Sequence, residues 1–152
     1  MDKELVVREI LSEQMIDVGA KLIERLDQSQ SNVWAAFWLF ISDEKTWKMM
    51  LISPFVKTDG PKSFYKRILE ANKNADKSES VISLNDIGVA DTSNPLANLL
   101  STAMTTGSEV AGIRFSKNTL NGAFIEDSYI YRIGELGTAT NLPIYTADRM
   151  NL

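Results

Sequence analysis

The feature that most constrains the fold is a run of nine apolar residues at 33–41, VWAAFWLFI. Successive side chains of a strand point to opposite faces, and here both faces are apolar. Such a strand has to be covered on both sides, so we expect it at the centre of a sheet. The segment at 46–53 predicts the return strand of a hairpin, and Lys48 on it indicates a partly solvated face. The residues that we expect to be nearly inaccessible to solvent are Trp34, Phe37, Trp38, Leu39 and Phe40.

Three segments show the spacing of amphipathic helices. Residues 2–28 carry apolar side chains at intervals of three and four, and residues 61–72 repeat that pattern behind a proline at the first helical position. A third helix is predicted to begin with Asn94 as its N-cap and to end at Gly107 as its C-cap.

The remaining segments complete an α+β fold. A short strand is predicted at 81–84 and a second hairpin at 109–116 and 123–133, joined by a linker at 117–122 that contains an Asn-Gly turn signal. We therefore expect a largely antiparallel five-stranded sheet, made of two hairpins plus one strand, with about three helices. The predicted order is α-β-β-α-β-α-β-β, with a loop at 54–60. The domain is expected to span 1–133, followed by a loosely docked tail at 134–152.

Two absences from the composition narrow the chemistry. The 152 residues include no cysteine and no histidine, and 44% of them are hydrophobic, as in an ordinary soluble globular protein. Without these residue types there is no Ser-His-Asp or Cys-His nucleophile, no Cys/His zinc site and no iron–sulfur cluster. Phosphate-binding motifs of the GxxxxGK[ST] and GxGxxG kinds are also missing, so we expect no cofactor.

Charge and hydropathy indicate where such a chain acts. The net charge of −4 argues against extensive nucleic-acid binding. The longest apolar run is far shorter than the ~20 residues that a membrane span needs. The charged N-terminal segment lacks the apolar core of a signal peptide, so we expect a cytoplasmic protein that does not enter a membrane.

A basic stretch interrupts this acidic chain. Residues 45–73 contain seven basic and two acidic residues, which gives a local charge of +5. Within the stretch, Lys62 and Lys66 lie one helical turn apart near the predicted start of a helix, and Lys57 precedes them in the chain. Backbone N–H groups and the helix dipole favour anions at such a position. The sequence therefore suggests an anion-binding site formed by Lys57, Lys62 and Lys66, although a solvated helix face gives the same pattern.

Asp86 and Asp91 are the weak candidates for a metal site. They flank the end of the predicted short strand and the loop before the third helix, and Mg²⁺ prefers carboxylate oxygens. The alternative is that both are ordinary turn residues, where aspartate is common.

Two functions from different classes remain open. The first is a non-catalytic binding or assembly module that binds a small anion or a partner protein. It is expected to self-associate as a homodimer through the first helix or an edge strand. The second is a magnesium-dependent enzyme that acts on a phosphorylated substrate without histidine or cysteine. We favour the first, because no catalytic constellation is visible in the sequence.

Overall fold

The apolar run at 33–41 supplies the middle strand of the main sheet. A computed structural model describes residues 3–104, 106, 110–120 and 122–135 of the chain. The strands within these residues are β1 (Lys3–Glu4), β2 (Ala35–Ile41), β3 (Thr46–Ile52), β4 (Ser80–Val81), β5 (Ile87–Ala90), β6 (Ile113–Leu120) and β7 (Ala123–Ile133). The α-helices are α1 (Glu13–Gln28), α2 (Pro54–Asp59), α3 (Pro61–Lys73) and α4 (Pro95–Ala103).

The sheet topology confirms the predicted α+β class. The five-stranded sheet has the order β5-β3-β2-β7-β6, so β2 is central, as expected from its two apolar faces. Both predicted hairpins, β2–β3 and β6–β7, are antiparallel, and β3 pairs with β5 in parallel. The short strands β1 and β4 form a separate parallel pair.

The helices cover the two faces of this sheet unequally. On one face, α1 and α3 pack against Trp38 and Met49. On the other, α4 packs against Phe37 and Ile130. Trp34, Phe37 and Trp38 are buried as expected.

The expectation that Leu39 and Phe40 are inaccessible is wrong, because both are only half-buried. They lie in the second half of β2, where the strand's burial falls off. Phe40 instead packs edge to face on Trp47, with ring centroids 5.4 Å apart.

The first helix begins later than its apolar spacing predicts. Residues 3–12 are not helical, and Ser12 caps α1 by accepting a hydrogen bond from the backbone N–H of Met15. Ile10, which lies within the helix predicted at 2–28, is 80% exposed. A serine hydroxyl can accept a hydrogen bond from a backbone N–H of the first helical turn. Ser12 therefore favours a helix that begins at this point over one that begins near residue 2.

Three other boundaries differ from the sequence expectation. The predicted loop at 54–60 contains α2, whose first turn is capped by the Ser53 hydroxyl. The strand predicted at 81–84 contributes only to β4 outside the main sheet, and β5 takes its place there. In the second hairpin β6 extends to Leu120, which pairs with Ala123, so the connection is shorter than the predicted linker at 117–122.

The third helix starts at Asn94 and Pro95 as predicted, but it ends at Ala103 with Met104 as its C-cap, so the predicted end at Gly107, which lies outside the described residues, is wrong. Of the tail predicted at 134–152, the structure describes only the first two residues, and 136–152 lie outside the described ranges. The backbone carbonyl of Gly134 accepts a hydrogen bond from Ser101, and that of Glu135 accepts one from Trp34.

None of the helices in the described part is long and apolar enough to cross a membrane.

Candidate anion-binding site

The three lysines predicted to bind an anion lie on neighbouring helices. Lys62 and Lys66 share an exposed stripe of α3, one turn apart, and Lys57 is exposed on α2. The helix α3 begins at Pro61, and its N-cap Gly60 provides no side-chain hydrogen bond. Lys57 also lies near enough to Asp91 to help lower the pKa of that carboxyl. The structure therefore places Lys62 and Lys66 together, whereas Lys57 interacts electrostatically with Asp91.

The two aspartates considered for a metal do not meet. Asp86 precedes β5 and Asp91 follows it, and five residues of extended chain span about 16 Å. Hydrogen bonds from the hydroxyl and backbone N–H of Ser93 lower the pKa of Asp91, whereas burial and then the charge of Glu4 raise the pKa of Asp86. Across the described ranges, no group of three acidic side chains could hold a metal ion. The magnesium-dependent alternative thus gains no support from these carboxylates.

A different basic site lies where the C-terminal end of α1 meets α3. A cavity of about 190 Å³ is lined there by side chains of both helices and of the turns that follow them. We call it the arginine cleft, and its lining residues are Arg25, Ser29, Arg67, Glu70, Ala71 and Asn74. Two guanidinium groups and one carboxylate give the lining a net positive charge.

Arg25 is the unusual member of the arginine cleft. It lies in the last turn of α1, and its side chain is only 11% exposed. Its Nη1 is 3.5 Å from Oε1 of Glu79, which is long for a charge-assisted hydrogen bond. Its Nε and Nη2 are buried, and neither has a hydrogen-bond partner among the described residues.

These two nitrogens form one edge of the guanidinium, the edge that binds carboxylate or phosphate through two parallel hydrogen bonds. Arg114 of this same protein shows the filled arrangement. Its Nε and Nη2 donate to the two carboxylate oxygens of Asp127 at 2.7 and 2.6 Å. The corresponding edge of Arg25 lacks such an acceptor within the described structure.

Arg67 also lines the arginine cleft and is held in place by its neighbours. Its guanidinium stacks on Phe55, 4.9 Å from the ring centroid, and its Nη1 donates to the Ser31 hydroxyl at 3.3 Å. The Ser31 and Ser29 hydroxyls are 2.8 Å apart, and Ser29 also donates to the Leu26 carbonyl. No described carboxylate forms an ion pair with Arg67. The cleft thus holds a second guanidinium in a fixed position.

Sequence reasoning missed this site for a physical reason. Arg25 and Arg67 belong to different helices, and the sequence shows no spacing that links them. Arg67 belongs to the basic stretch at 45–73, whereas Arg25 lies outside it, in the first predicted helix. The only available signal was an arginine flanked closely by core positions, since Leu22 and Leu26 of α1 are fully buried.

No protein-family model, characterised protein or solved structure matches this chain, so no relative indicates its ligand.

Proposed function

We propose that this protein is a non-catalytic binding module that holds an oxyanion, such as the phosphate group of a ligand, in the arginine cleft. The observation that carries the proposal is the Nε–Nη2 edge of Arg25, which is buried without a hydrogen-bond acceptor among the described residues. Glu79 pairs with Nη1 of Arg25 but leaves these two buried N–H groups without acceptors, which is costly, and an oxyanion would relieve that cost with two hydrogen bonds.

The surroundings favour an anion over other ligands. Arg67 places a second guanidinium on the cleft, and Ser29 adds a hydroxyl to its lining. The exposed lysines Lys62 and Lys66 continue this positive surface along α3, with Lys57 on the neighbouring helix. They would attract an anion over a distance of ~8 Å at physiological ionic strength. In this proposal the lysines steer the ligand and the arginines bind it.

Calorimetric titration with inorganic phosphate and with phenyl phosphate tests the proposal. Arg25→Lys keeps the positive charge but removes the two-pronged edge, so we expect binding to weaken by about tenfold, equivalent to about 1.4 kcal/mol. Lys62→Gln/Lys66→Gln should weaken binding less and reduce its dependence on salt. Arg8→Gln is the matched control, since Arg8 is exposed and outside the cleft.

Two results would count against the arginine cleft. One is equal phosphate binding by the native protein and Arg25→Lys. The other is no binding by the native protein at low salt. If binding were lost in the lysine variant but kept in Arg25→Lys, the site would instead be the exposed lysine face.

We also infer that the protein self-associates as a homodimer, and the structure favours an edge strand over the first helix for this contact. The apolar stripe of α1 is turned into the core, with Met15, Leu22 and Leu26 fully buried. By contrast, β6 lies at one end of the main sheet, and Phe124 beside it on β7 is 63% exposed. Light scattering that gives the mass of one chain at high concentration would contradict the dimer.

A cytoplasmic location remains a prediction from the sequence. Fractionation of cells that produce the tagged protein tests it.

A further inference from the structure

A second groove lies on the other side of α3. It has a volume of about 520 Å³ and is bounded by α3, by β4 and by the short 3₁₀ turn that follows β4. Its apolar lining comes from Leu69, Val81, Ile82 and Leu84. Leu69 is 45% exposed, whereas Phe64 and Ile68 of the same helix are buried. We call this the Asn72 groove, after the polar side chain that lines it.

Asn72 has an unmet hydrogen-bonding capacity. The residue is only 6% exposed, and its Nδ2 donates to the Ile82 carbonyl at 3.1 Å. That carbonyl can only accept, so the bond fixes which end of the amide is the oxygen. The remaining group, Oδ1, is buried with no hydrogen-bond donor among the described residues. A buried amide oxygen of this kind calls for a donor, and a ligand in the groove can supply one.

The charge around the groove selects the kind of donor. Glu4 lines the groove, and its carboxylate is in no ion pair within the described structure. Asp86, in the 3₁₀ turn, lies close enough to Glu4 for the two negative charges to repel each other, and Lys48 offsets part of the negative charge at Asp86. A ligand that brings a positive charge would relieve this repulsion, whereas an anion would increase it.

We propose that the Asn72 groove binds a primary alkylammonium ligand. The alkyl chain lies on Leu69 and Leu84, and the ammonium donates a hydrogen bond to Oδ1 of Asn72 beside the carboxylate of Glu4. The site is separate from the arginine cleft and takes a ligand of opposite charge.

Three probes with the same butyl chain separate the contributions. Butylammonium offers the chain, the charge and N–H donors. Butyltrimethylammonium keeps the chain and charge without a donor, and n-butanol keeps the chain and a donor without the charge. We expect butylammonium to shift the amide NMR signals of Leu69, Ile82 and Leu84 with a millimolar Kd, as befits so small a ligand. Each of the other probes should bind about tenfold more weakly.

Two variants and one control test the residues. Glu4→Gln, at an exposed position, should weaken butylammonium about fivefold and leave n-butanol unchanged. Asn72→Leu should weaken both, and a thermal melt of that variant shows whether it is folded. Glu24→Gln removes an exposed carboxylate from α1, outside the groove, and should change nothing.

The proposal is overturned if all three probes bind equally, or if butylammonium shifts no signal in the groove. It is also overturned if Glu4→Gln and Glu24→Gln weaken butylammonium by the same factor, because this would indicate attraction by net charge alone. Phosphate binding at the arginine cleft is unaffected by any of these outcomes.

Discussion

The Tyr131 hydroxyl joins the first helix to the sheet. It accepts a hydrogen bond from Trp38 Nε1 at 2.9 Å and donates one to the Ile16 carbonyl at 2.6 Å. Burial raises the pKa of Tyr131 well above its ordinary value, and this outweighs the opposing effect of the bond from Trp38. The neutral phenol is therefore part of the folded structure.

The raised pKa of Tyr131 predicts a loss of stability in alkali. Below the ordinary tyrosine pKa of about 10, both the folded and the unfolded chain keep the proton, so this residue adds no pH dependence. Above it, the unfolded chain ionises first, and the free energy of unfolding should fall by up to about 1.4 kcal/mol per pH unit. Urea unfolding from mildly to strongly alkaline pH measures this slope. Tyr131→Phe should show a shallower one, and equal slopes would contradict the assignment.

Two bidentate arginine–aspartate pairs differ in how deeply the arginine is buried. Arg132 donates from Nη1 and Nη2 to the two carboxylate oxygens of Asp27, and its side chain is 7% exposed, while Arg114 donates from Nε and Nη2 to Asp127 and is 50% exposed. Asp27 is 41% exposed and Asp127 22%, so the comparison tests burial of the arginine and not of the aspartate. Asp27→Asn leaves a buried guanidinium without its counter-charge, so we expect it to lower the free energy of unfolding by about 2–4 kcal/mol. Asp127→Asn should lower it by less than about 1 kcal/mol. The midpoints of urea unfolding measure both changes in stability. Equal losses of stability in the two variants would mean that burial of the arginine does not determine the cost.

At the level of elements, the packing of α1 explains a glycine that helix propensity disfavours. Gly19 lies in the middle of α1, where the helix backbone approaches Tyr131 and Trp38. A Cβ at this position would overlap the Tyr131 hydroxyl and lie 3.0 Å from Trp38 Nε1. Both side chains are held by the hydrogen bond between them, so neither moves away freely.

Gly19→Ala should therefore destabilise the protein. Propensity alone predicts a gain of up to about 1 kcal/mol, but overpacking of a buried contact costs about 1–3 kcal/mol. We expect a lower melting temperature by calorimetry. Ala20→Gly, at the next and less buried position of α1, is the control for propensity. A melting temperature raised by Gly19→Ala would show that the helix can shift from the sheet.

The elements that the sequence predicts best are those whose burial is uniform along their length. β2 was placed correctly because both of its faces are apolar, so no other position in the sheet suits it. The start of α1 was missed because Val7 and Leu11 keep the helical spacing while lying in non-helical chain, where both still pack against the core. The spacing of apolar residues predicts which side chains are covered, but it does not determine the backbone conformation that covers them.

Part of the candidate site could likewise be predicted from the sequence and part could not. Lys62 and Lys66 were found because they are close in sequence and belong to one helix. The arginine cleft was not found, because the contact of Arg25 with the same cavity as Arg67 depends on how α1 packs against α3. Long-range packing of this kind is set by the whole core and has no local signature.

For the molecule as a whole, β2 connects two hydrophobic cores. Trp38 on one side of the strand packs with the helices α1 and α3, and Phe37 on the other side packs with α4. Both side chains are fully buried. Since adjacent residues of one strand anchor the two cores, damage to either core should be transmitted to the other through the backbone hydrogen bonds that β2 makes to both neighbouring strands.

Phe37→Ala tests this coupling. Loss of a fully buried phenyl ring should lower the free energy of unfolding by about 3–5 kcal/mol, a large part of the total for a domain of this size. Leu39→Ala on the same strand is the control, and it should cost less because Leu39 is only half-buried.

Urea unfolding is followed by tryptophan fluorescence, which reports Trp34 in one core and Trp38 and Trp47 in the other, and by far-ultraviolet circular dichroism. If the two cores are one cooperative unit, the two signals of Phe37→Ala will move together to a lower midpoint. Separate transitions would show that the sheet's two faces unfold independently, and a small shift of the midpoint would show that Phe37 does not anchor its core.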